Sequence, residues 1–429
     1  MTFELANDAR PHRPIESVRF RNTQALQGVP VCNTSNENAD AVRAGTTTKN
    51  NPLIFAATVP ALLFSCAAWA HDVTERVRDD AGQPHVVEQQ WSHIGLLRAR
   101  DLTPFGLLRL DMLPAHTADA KANTWTFEMQ YAYQNTFVLS DNVREYLETR
   151  NNGRQPLRAT DAEAILNLPD EAYYIDGEVG LADLILQRRL NHYWSAYVTL
   201  PYIHYGKGTL DGTIEAFHDT IGFSQQGRDL VARDQFQLVY AIGDVQFAQL
   251  DRSPQGGFGD PVFGVRYSLP QPRFGWDVVV ELAAKIAVDG ERFLLSTGEN
   301  DYGTQVTLQR RFGATGRHAA YLSGSAVYYA GGPETPGDEI DIIPTLIAGY
   351  SFGLTQRSSL ILQGYASRSV VQSSTIEELT DNKYQLSLGV QGRVESILWS
   401  FAITENISNF ENTPDIGVQL GLSYMPKAK

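Results

Sequence analysis

The chain has 429 residues, of which 20% are charged, and a mean hydropathy of -0.25. These values exclude a bundle of membrane helices but allow a membrane β-barrel, whose strands alternate apolar and polar residues. The formal net charge of -14 argues against a nucleic-acid partner, because a phosphate backbone requires a basic face. Aromatic residues make up 10% of the chain, an abundance expected for a barrel with two aromatic girdles.

The first long apolar stretch is LIFAATVPALLFSCAAWA, residues 53–70. It ends in small residues at the positions that a signal peptidase reads and then turns polar, which predicts a signal peptide over 51–70, cleaved after Ala70. A single membrane-anchor helix is the alternative. Residues 1–50 are polar and without periodicity, which predicts a disordered or mis-assigned N-terminal extension.

Both cysteines, Cys32 and Cys66, precede the predicted cleavage site. The mature chain is therefore predicted to hold no disulfide, no thiolate metal site and no cysteine nucleophile.

Residues 71–123 form an N-terminal segment that precedes the first regular pattern. Its semi-apolar part, WSHIGLLRARDLTPFGLLRLDML (91–113), carries Arg98, Arg100 and Arg109. We expect this part either to enter a barrel lumen as a plug, where its arginines meet inward carboxylates, or to cover the periplasmic rim. A further strand is the third alternative.

Period-two alternation dominates the chain from residue 124 onward, as in NTWTFEMQYAYQ at 123–134. In WDVVVELAAKIAV (276–288), Asp277, Glu281 and Lys285 lie four apart, which fits one face of a helix or of a strand. The run of three valines disfavours a helix, and the neighbouring segments alternate, so the stretch is predicted to be a strand. Its three charges then face a polar lumen.

Twelve such strands are predicted, longer than the five or six residues usual in soluble sheets. Their lengths match tilted membrane strands, which predicts an all-β fold: a transmembrane antiparallel up-and-down β-barrel over 124–429. A soluble β-sandwich is the alternative fold. The predicted strands are 124–138, 172–187, 192–205, 257–269, 276–288, 302–312, 319–330, 340–353, 359–371, 383–394, 397–407 and 414–425.

Connections between these strands are alternately short and long, as expected when short turns face the periplasm and long loops face outward. The count of twelve requires that FQLVYAIGDVQFAQL (236–250) be a hairpin within the second long loop, turning at Gly243 and Asp244. If it were two more spanning strands, the count would be fourteen.

Polar residues on the predicted inward faces are the first group of candidate site residues. They are expected either to fill the lumen with ion pairs and hydrogen bonds or to form a polar path for a small solute. Their signs are mixed, so strong charge selectivity does not follow. Strict alternation places Asp183 toward lipid unless a bulge intervenes, and the faces of 359–371 are ambiguous. The predicted lumen-facing residues are Glu128, Asp176, Glu178, Arg266, Asp277, Glu281, Lys285, Gln305, Gln309, Arg311, Lys383, Gln385, Gln391 and Arg393.

The second candidate group lies on an external loop: His218, Asp219, Arg228 and Asp229. A lipid hydrolase or deacylase would use the His-Asp pair with a nucleophile such as Ser224, whereas the simpler interpretation is a loop that packs on itself. Adjacent residues rarely hold triad geometry, so no catalytic residue is predicted. No metal site and no cofactor are predicted either.

Four stretches resemble a family of Gram-negative outer-membrane proteins known as domain of unknown function 3187: LTPFGLLRLDMLP (102–114), LDGTIEAFHDTIGFSQQGRD (210–229), GFGDPVFGVRYSL (257–269) and FENTPDIGVQLGL (410–422). The resemblance covers about residues 90–425 and implies an outer-membrane barrel without an assigned activity. Such barrels usually end on an aromatic residue, which the assembly machinery reads. Here Tyr424 is followed by MPKAK, so that signal is displaced.

The predicted location is therefore the outer membrane of a Gram-negative bacterium, with outer-membrane lipid, the assembly machinery and a small solute as partners. The leading functional hypothesis is a passive or ligand-binding pathway for a small solute. A lipid-modifying enzyme and a structural envelope barrel are the alternatives.

Overall fold

The computed structural model describes residues 76–78, 84–86 and 91–426, with gaps at 104, 116–121, 151–152, 223, 251–252, 271–272, 289, 314, 332–340, 372 and 409–412. The predicted extension, signal peptide and cleavage site lie outside these residues. No helix within the described ranges is long and apolar enough to cross a membrane.

The described chain forms mostly β-structure. The strands are β1 (Arg76–Arg78), β2 (Pro84–Val86), β3 (Trp125–Leu139), β4 (Ala172–Arg189), β5 (Trp194–Gly206), β6 (Gln237–Ile242), β7 (Val245–Gln249), β8 (Gly257–Phe258), β9 (Val262–Ser268), β10 (Asp277–Lys285), β11 (Glu291–Arg292), β12 (Ser296–Thr297), β13 (Asp301–Phe312), β14 (His318–Tyr329), β15 (Asp341–Thr355), β16 (Ser358–Ser367), β17 (Lys383–Val394), β18 (Ile397–Ser408) and β19 (Ile416–Tyr424). The helices are α1 (Asp141–Thr149), α2 (Ala159–Leu166), α3 (Asp211–Ile221) and α4 (Glu377–Thr380).

Twelve strands close into one antiparallel barrel, which confirms the predicted fold class and the smaller of the two strand counts. In order around the wall they are β3, β4, β5, β9, β10, β13, β14, β15, β16, β17, β18 and β19, and β19 pairs with β3 to complete the ring. Each strand pairs with its sequence neighbours because short turns join them at one end, for example at 356–357 and 395–396. The long connections all lie at the other end.

The outward face of the wall is apolar, as a lipid-facing surface requires. Exposed aromatic rings border it at both ends: Trp125, Trp194 and Tyr424 near the short turns, and Tyr202 and Tyr302 near the long loops. Exposed aliphatic side chains, such as Leu282, Leu346 and Leu388, lie between these two girdles.

The stretch at 236–250 is the predicted hairpin. Strands β6 and β7 pair with each other across Gly243, and β6 continues the sheet along the first residues of β4. Helices α1 and α2 pack against this extension, with Val143, Leu147 and Ile165 in its buried cluster. The wall at β3 and β4 therefore extends beyond the membrane-spanning part of the barrel.

The predicted strand 257–269 is not continuous. It is divided into β8 and β9 by Gly259, Asp260 and Pro261. Asp260 is buried and accepts a hydrogen bond from the hydroxyl of Ser296 at 2.7 Å, while Pro261 has no N–H with which to continue the ladder. Alternation alone did not reveal this interruption.

Candidate functional site: a charged lumen occupied by residues 91–115

Among the described residues, 91–103 and 105–115 lie in the lumen. We call 91–102 the ascending arm, 103 with 105–109 the tip, and 110–115 the descending arm. At the short-turn end, the guanidinium of Arg317 lies 4.9 Å from the ring centroid of Trp91, and His93 contacts the carbonyl of Gly316 at 2.9 Å. At the long-loop end, Phe105 packs edge-to-face on Tyr240 with ring centroids 5.3 Å apart. The segment therefore extends along the lumen from one rim to the loop cluster at the other.

Glutamine side chains on the inner wall satisfy the backbone of both arms. Gln363 accepts a hydrogen bond from the N–H of Leu97 at 2.8 Å and donates one to its carbonyl at 3.1 Å. Gln134 accepts from the N–H of Leu102 at 3.0 Å. An extended segment without a partner strand requires such donors and acceptors, and a primary amide supplies both.

Two further glutamines have the same role and were among the predicted lumen residues. Gln391 donates to the carbonyl of Gly95 at 3.0 Å, and Gln305 donates to that of Met112 at 2.6 Å on the descending arm. Gln134 and Gln363 were missed. Both lie in the period-two pattern, so an inward amide without a nearby charge is the signal that would have found them.

Two arginines of the ascending arm meet acids of the wall. Arg98 contacts both carboxylate oxygens of Glu128, at 2.5 and 2.9 Å. Arg100 donates two hydrogen bonds to Oδ2 of Asp183, at 2.6 and 3.0 Å. All four side chains are buried, so each pair is a desolvated, charge-assisted contact.

A second charged group surrounds the tip. Lys383 of the wall donates to Asp101 at 2.8 Å and to the hydroxyl of Thr103 at 2.7 Å. Arg109 lies 3.6 Å from the same carboxylate and donates to the hydroxyl of Tyr365. The tip is thus held by wall residues at its base as well as by aromatic packing above.

The wall also pairs charges with itself. Arg266 donates to Glu281 on the adjacent strand, and Tyr197 donates to the same carboxylate at 2.5 Å. Lys285 pairs with Asp301 on the adjacent strand at 2.8 Å and donates to the carbonyl of Leu108 at 2.8 Å. Glu281 and Lys285, two of the three charges that interrupt the apolar pattern of β10, are therefore satisfied by neighbouring strands and by the segment.

Several predicted lumen residues lie away from this network. Asp277 and Arg311 are exposed near the short turns, and Arg393 donates to the carbonyl of Met425 at 3.0 Å at that rim. Gln309 and Gln385 are buried in the wall.

The side chains of strand β4 point to the opposite sides of the wall from those predicted. Asp183 points into the lumen, where it meets Arg100, whereas Asp176 and Glu178 point to the outer face. There, Glu178 accepts hydrogen bonds from Tyr133 and from Thr209. No bulge is needed. The first part of β4 is the extension beyond the bilayer, where outward polar residues are covered by the loop that includes α3.

The external-loop candidates do not converge on a reactive centre. Arg228 is buried and donates to Asp211 at 3.0 Å and to Asp415. Asp219 accepts from Gln225 at 2.6 Å, and Ser224 accepts from the backbone N–H of Gln226 at 3.2 Å.

The remaining two candidates on this loop do not add to such a centre. His218 is buried in α3, its ring 6.2 Å from that of Phe217, and Asp229 is exposed. These contacts are those of a loop packed on itself and onto the strand ends.

The same loop contains a strongly perturbed carboxylate. Burial opposes ionisation of Glu215, but hydrogen bonds from Arg154 and Arg233 outweigh it and hold the pKa at about 2. Burial raises the pKa of Asp211.

In the part of the chain that the structure describes, no group of three or more His, Cys, Asp or Glu residues is arranged to hold a metal ion.

Residues 86–425 match the model of the family described as "Protein of unknown function (DUF3187)". The chain belongs to this family. No curated protein matches it.

Solved structures similar to it include the COG4313 outer membrane channel from Pseudomonas putida F1, at 10% identity and a TM-score of 0.43, covering 73% of this chain and 99% of that one. The P. putida toluene transporter TodX matches at 8% identity and a TM-score of 0.36, covering 72% of this chain and 92% of that one. Outer membrane phospholipase A from Escherichia coli matches at 11% identity and a TM-score of 0.29, covering 70% of this chain and 92% of that one. At such identities these likenesses carry nothing about activity.

Proposed function

We propose that this protein is an outer-membrane channel for a small polar solute, described here in a closed form in which residues 91–115 act as a plug. The main observation that supports this proposal is that a separate segment, rather than the wall's own side chains, occupies the polar lumen from rim to loops. The segment is held by hydrogen bonds and ion pairs, all of which water or a polar solute can replace.

The inner wall leaves room for this segment. A Cβ added at Gly349 would lie 2.5 Å from Cδ2 of Leu96, and one added at Gly303 would lie 2.6 Å from the sulfur of Met112. A barrel with only a structural role would be expected to fill its lumen from the wall, because closely packed interiors leave few voids. Small wall residues opposite bulky residues of the arms instead favour a removable occupant.

Deleting residues 71–113 tests the proposal. We expect the barrel still to fold, as judged by its circular dichroism and by its heat-dependent mobility in gels, and to conduct more than the full-length protein in planar bilayers. A folded deletion protein that conducts no more than the full-length one would refute the proposal that the segment is a plug.

A disulfide lock provides a second test within the full chain. The predicted mature chain has no cysteine, so a pair at Leu96→Cys and Gly349→Cys would be its only thiols. Oxidation should tie the ascending arm to β15 and suppress openings, and a reductant should restore them. The single variant Leu96→Cys should respond to neither reagent.

On this proposal the loop around His218 has no catalytic role. The purified protein and its His218→Ala variant should then show the same background level of lipid turnover. The protein should reach the outer membrane through the assembly machinery despite the residues that follow Tyr424.

A further inference from the structure

The wall around Arg98 and Arg100 carries an excess of negative charge. Glu128 on β3, Asp183 on β4 and Glu281 on β10 face this part of the lumen, and Arg266 is the wall cation described among them. Lys383, which the wall also presents to the ascending arm, pairs with Asp101 of the arm itself. Arg98 and Arg100 supply two more cations, so three acids meet three arginines. The balance depends on a segment that is not part of the wall.

The two arginines are held as ligands would be. Each guanidinium makes two contacts with one buried carboxylate, Arg98 with Glu128 and Arg100 with Asp183. The side-by-side contacts of Arg98 with the two oxygens of Glu128 are the geometry by which carboxylates recognise guanidinium groups, whereas both contacts of Arg100 go to one oxygen of Asp183.

A second observation also points to a cation site. The other oxygen of Asp183, Oδ1, is buried and has no hydrogen-bond partner among the described residues. A buried carboxylate oxygen without a donor is costly. Asp183 is thus able to accept a further hydrogen bond beyond the two that Arg100 makes to Oδ2.

We propose that Glu128 and Asp183 form a binding site for a cationic solute with a guanidinium or primary amine group, and that the arm's own arginines occupy this site in the closed form. The inference rests on the proposed channel function and names its solute class. When the arm leaves, the lumen around these residues would be acidic, because Arg266 remains paired with Glu281.

The first experiment measures cation binding without any need for conductance. In a full-length Arg98→Ala/Arg100→Ala variant, methylguanidinium should occupy the vacated site. At about ten times its Kd it should raise Tm by about 2–4 °C. Equal ionic strength of NaCl should give no such rise, and the wild type should not respond.

Adding Glu128→Gln and Asp183→Asn to this variant should abolish the rise in Tm caused by methylguanidinium. Replacing Asp277, an exposed acid on the same wall, by Asn should leave that rise unchanged. A variant that methylguanidinium stabilises no more than NaCl does would overturn the cation site, whatever the conductance experiments show.

The second experiment measures ion selectivity in the 71–113 deletion protein. Its reversal potential in a KCl gradient should show preference for potassium, and Glu128→Gln with Asp183→Asn should reduce that preference. A deletion protein that conducts without cation preference refutes the solute class while leaving the channel intact. One that binds methylguanidinium but never conducts refutes the channel and leaves the cation site.

Discussion

Replacing Leu282 by Arg should destabilise the barrel by about 2–4 kcal/mol, as a cation at the bilayer midplane does. Leu282 is on the outward face of β10, with 56% of its surface exposed in the absence of lipid. It lies five residues beyond the exposed Asp277 at the short-turn rim. With about 3.3 Å per residue and a tilt of about 40°, that is about 13 Å above the rim, close to the middle of an apolar band about 25 Å tall.

Leu354→Arg is the matched control. Leu354 is also outward-facing and 45% exposed, but it lies next to the short turn at 356–357. There the arginine can extend to the headgroups, so we expect a cost of about 0–1 kcal/mol.

Urea titration of both variants, refolded into lipid vesicles and compared with the wild type, gives the two differences in free energy of unfolding. Equal costs at the two positions would refute the assignment of this face to lipid. The cost of an arginine depends on its depth only if the face lies in a bilayer.

Three further outcomes are expected. Arg100→Met should cost about 3–5 kcal/mol in the same titration, because it leaves Asp183 buried and without its cation, and adding Asp183→Asn should recover much of that loss. Since the pKa of Glu215 is held at about 2, below its usual 4.5, its contribution to stability is complete above about pH 4.5 and is lost as the pH falls toward 2; Glu215→Gln should flatten the dependence of Tm on pH over that interval. Gly349→Leu should displace the ascending arm and raise conductance, whereas Gly364→Leu, at a glycine whose added Cβ would meet nothing within 4 Å, should not; equal conductance in the two variants would argue that the arm does not close the lumen.

Strand positions and the closed barrel were predictable from the sequence, because lipid outside and a polar lumen inside impose period two on every strand. The pattern does not indicate where the bilayer ends. Strand β4 is 18 residues long, and its first part lies beyond the membrane. Outward residues there, such as Glu178, are polar because a loop covers them, and this led alternation to assign the wrong face to the whole strand.

The lumen contacts were less predictable for a different reason. Alternation identifies that Gln305 and Gln391 face inward, but it cannot show that their partners are backbone groups of an inserted segment. Helices α1–α3 were also missed. They are short and owe their stability to packing on the strand extension, as Val143 and Leu147 show, rather than to a strong local helical pattern.

The inserted segment supplies three things that the wall lacks: volume opposite Gly349, cations for Glu128 and Asp183, and backbone partners for the inward glutamines. An emptied lumen must replace all three with water and ions, so the open form should be a minor population at rest. A solute shifts such a balance only by its preference for the open form, and a shift from about 1:99 to 99:1 requires a preference of about 10⁴-fold. A cation that binds at Glu128 and Asp183 prefers the open form, because the closed form presents both acids already occupied. Binding and opening would then be the same event, since the solute's charge replaces that of the arm.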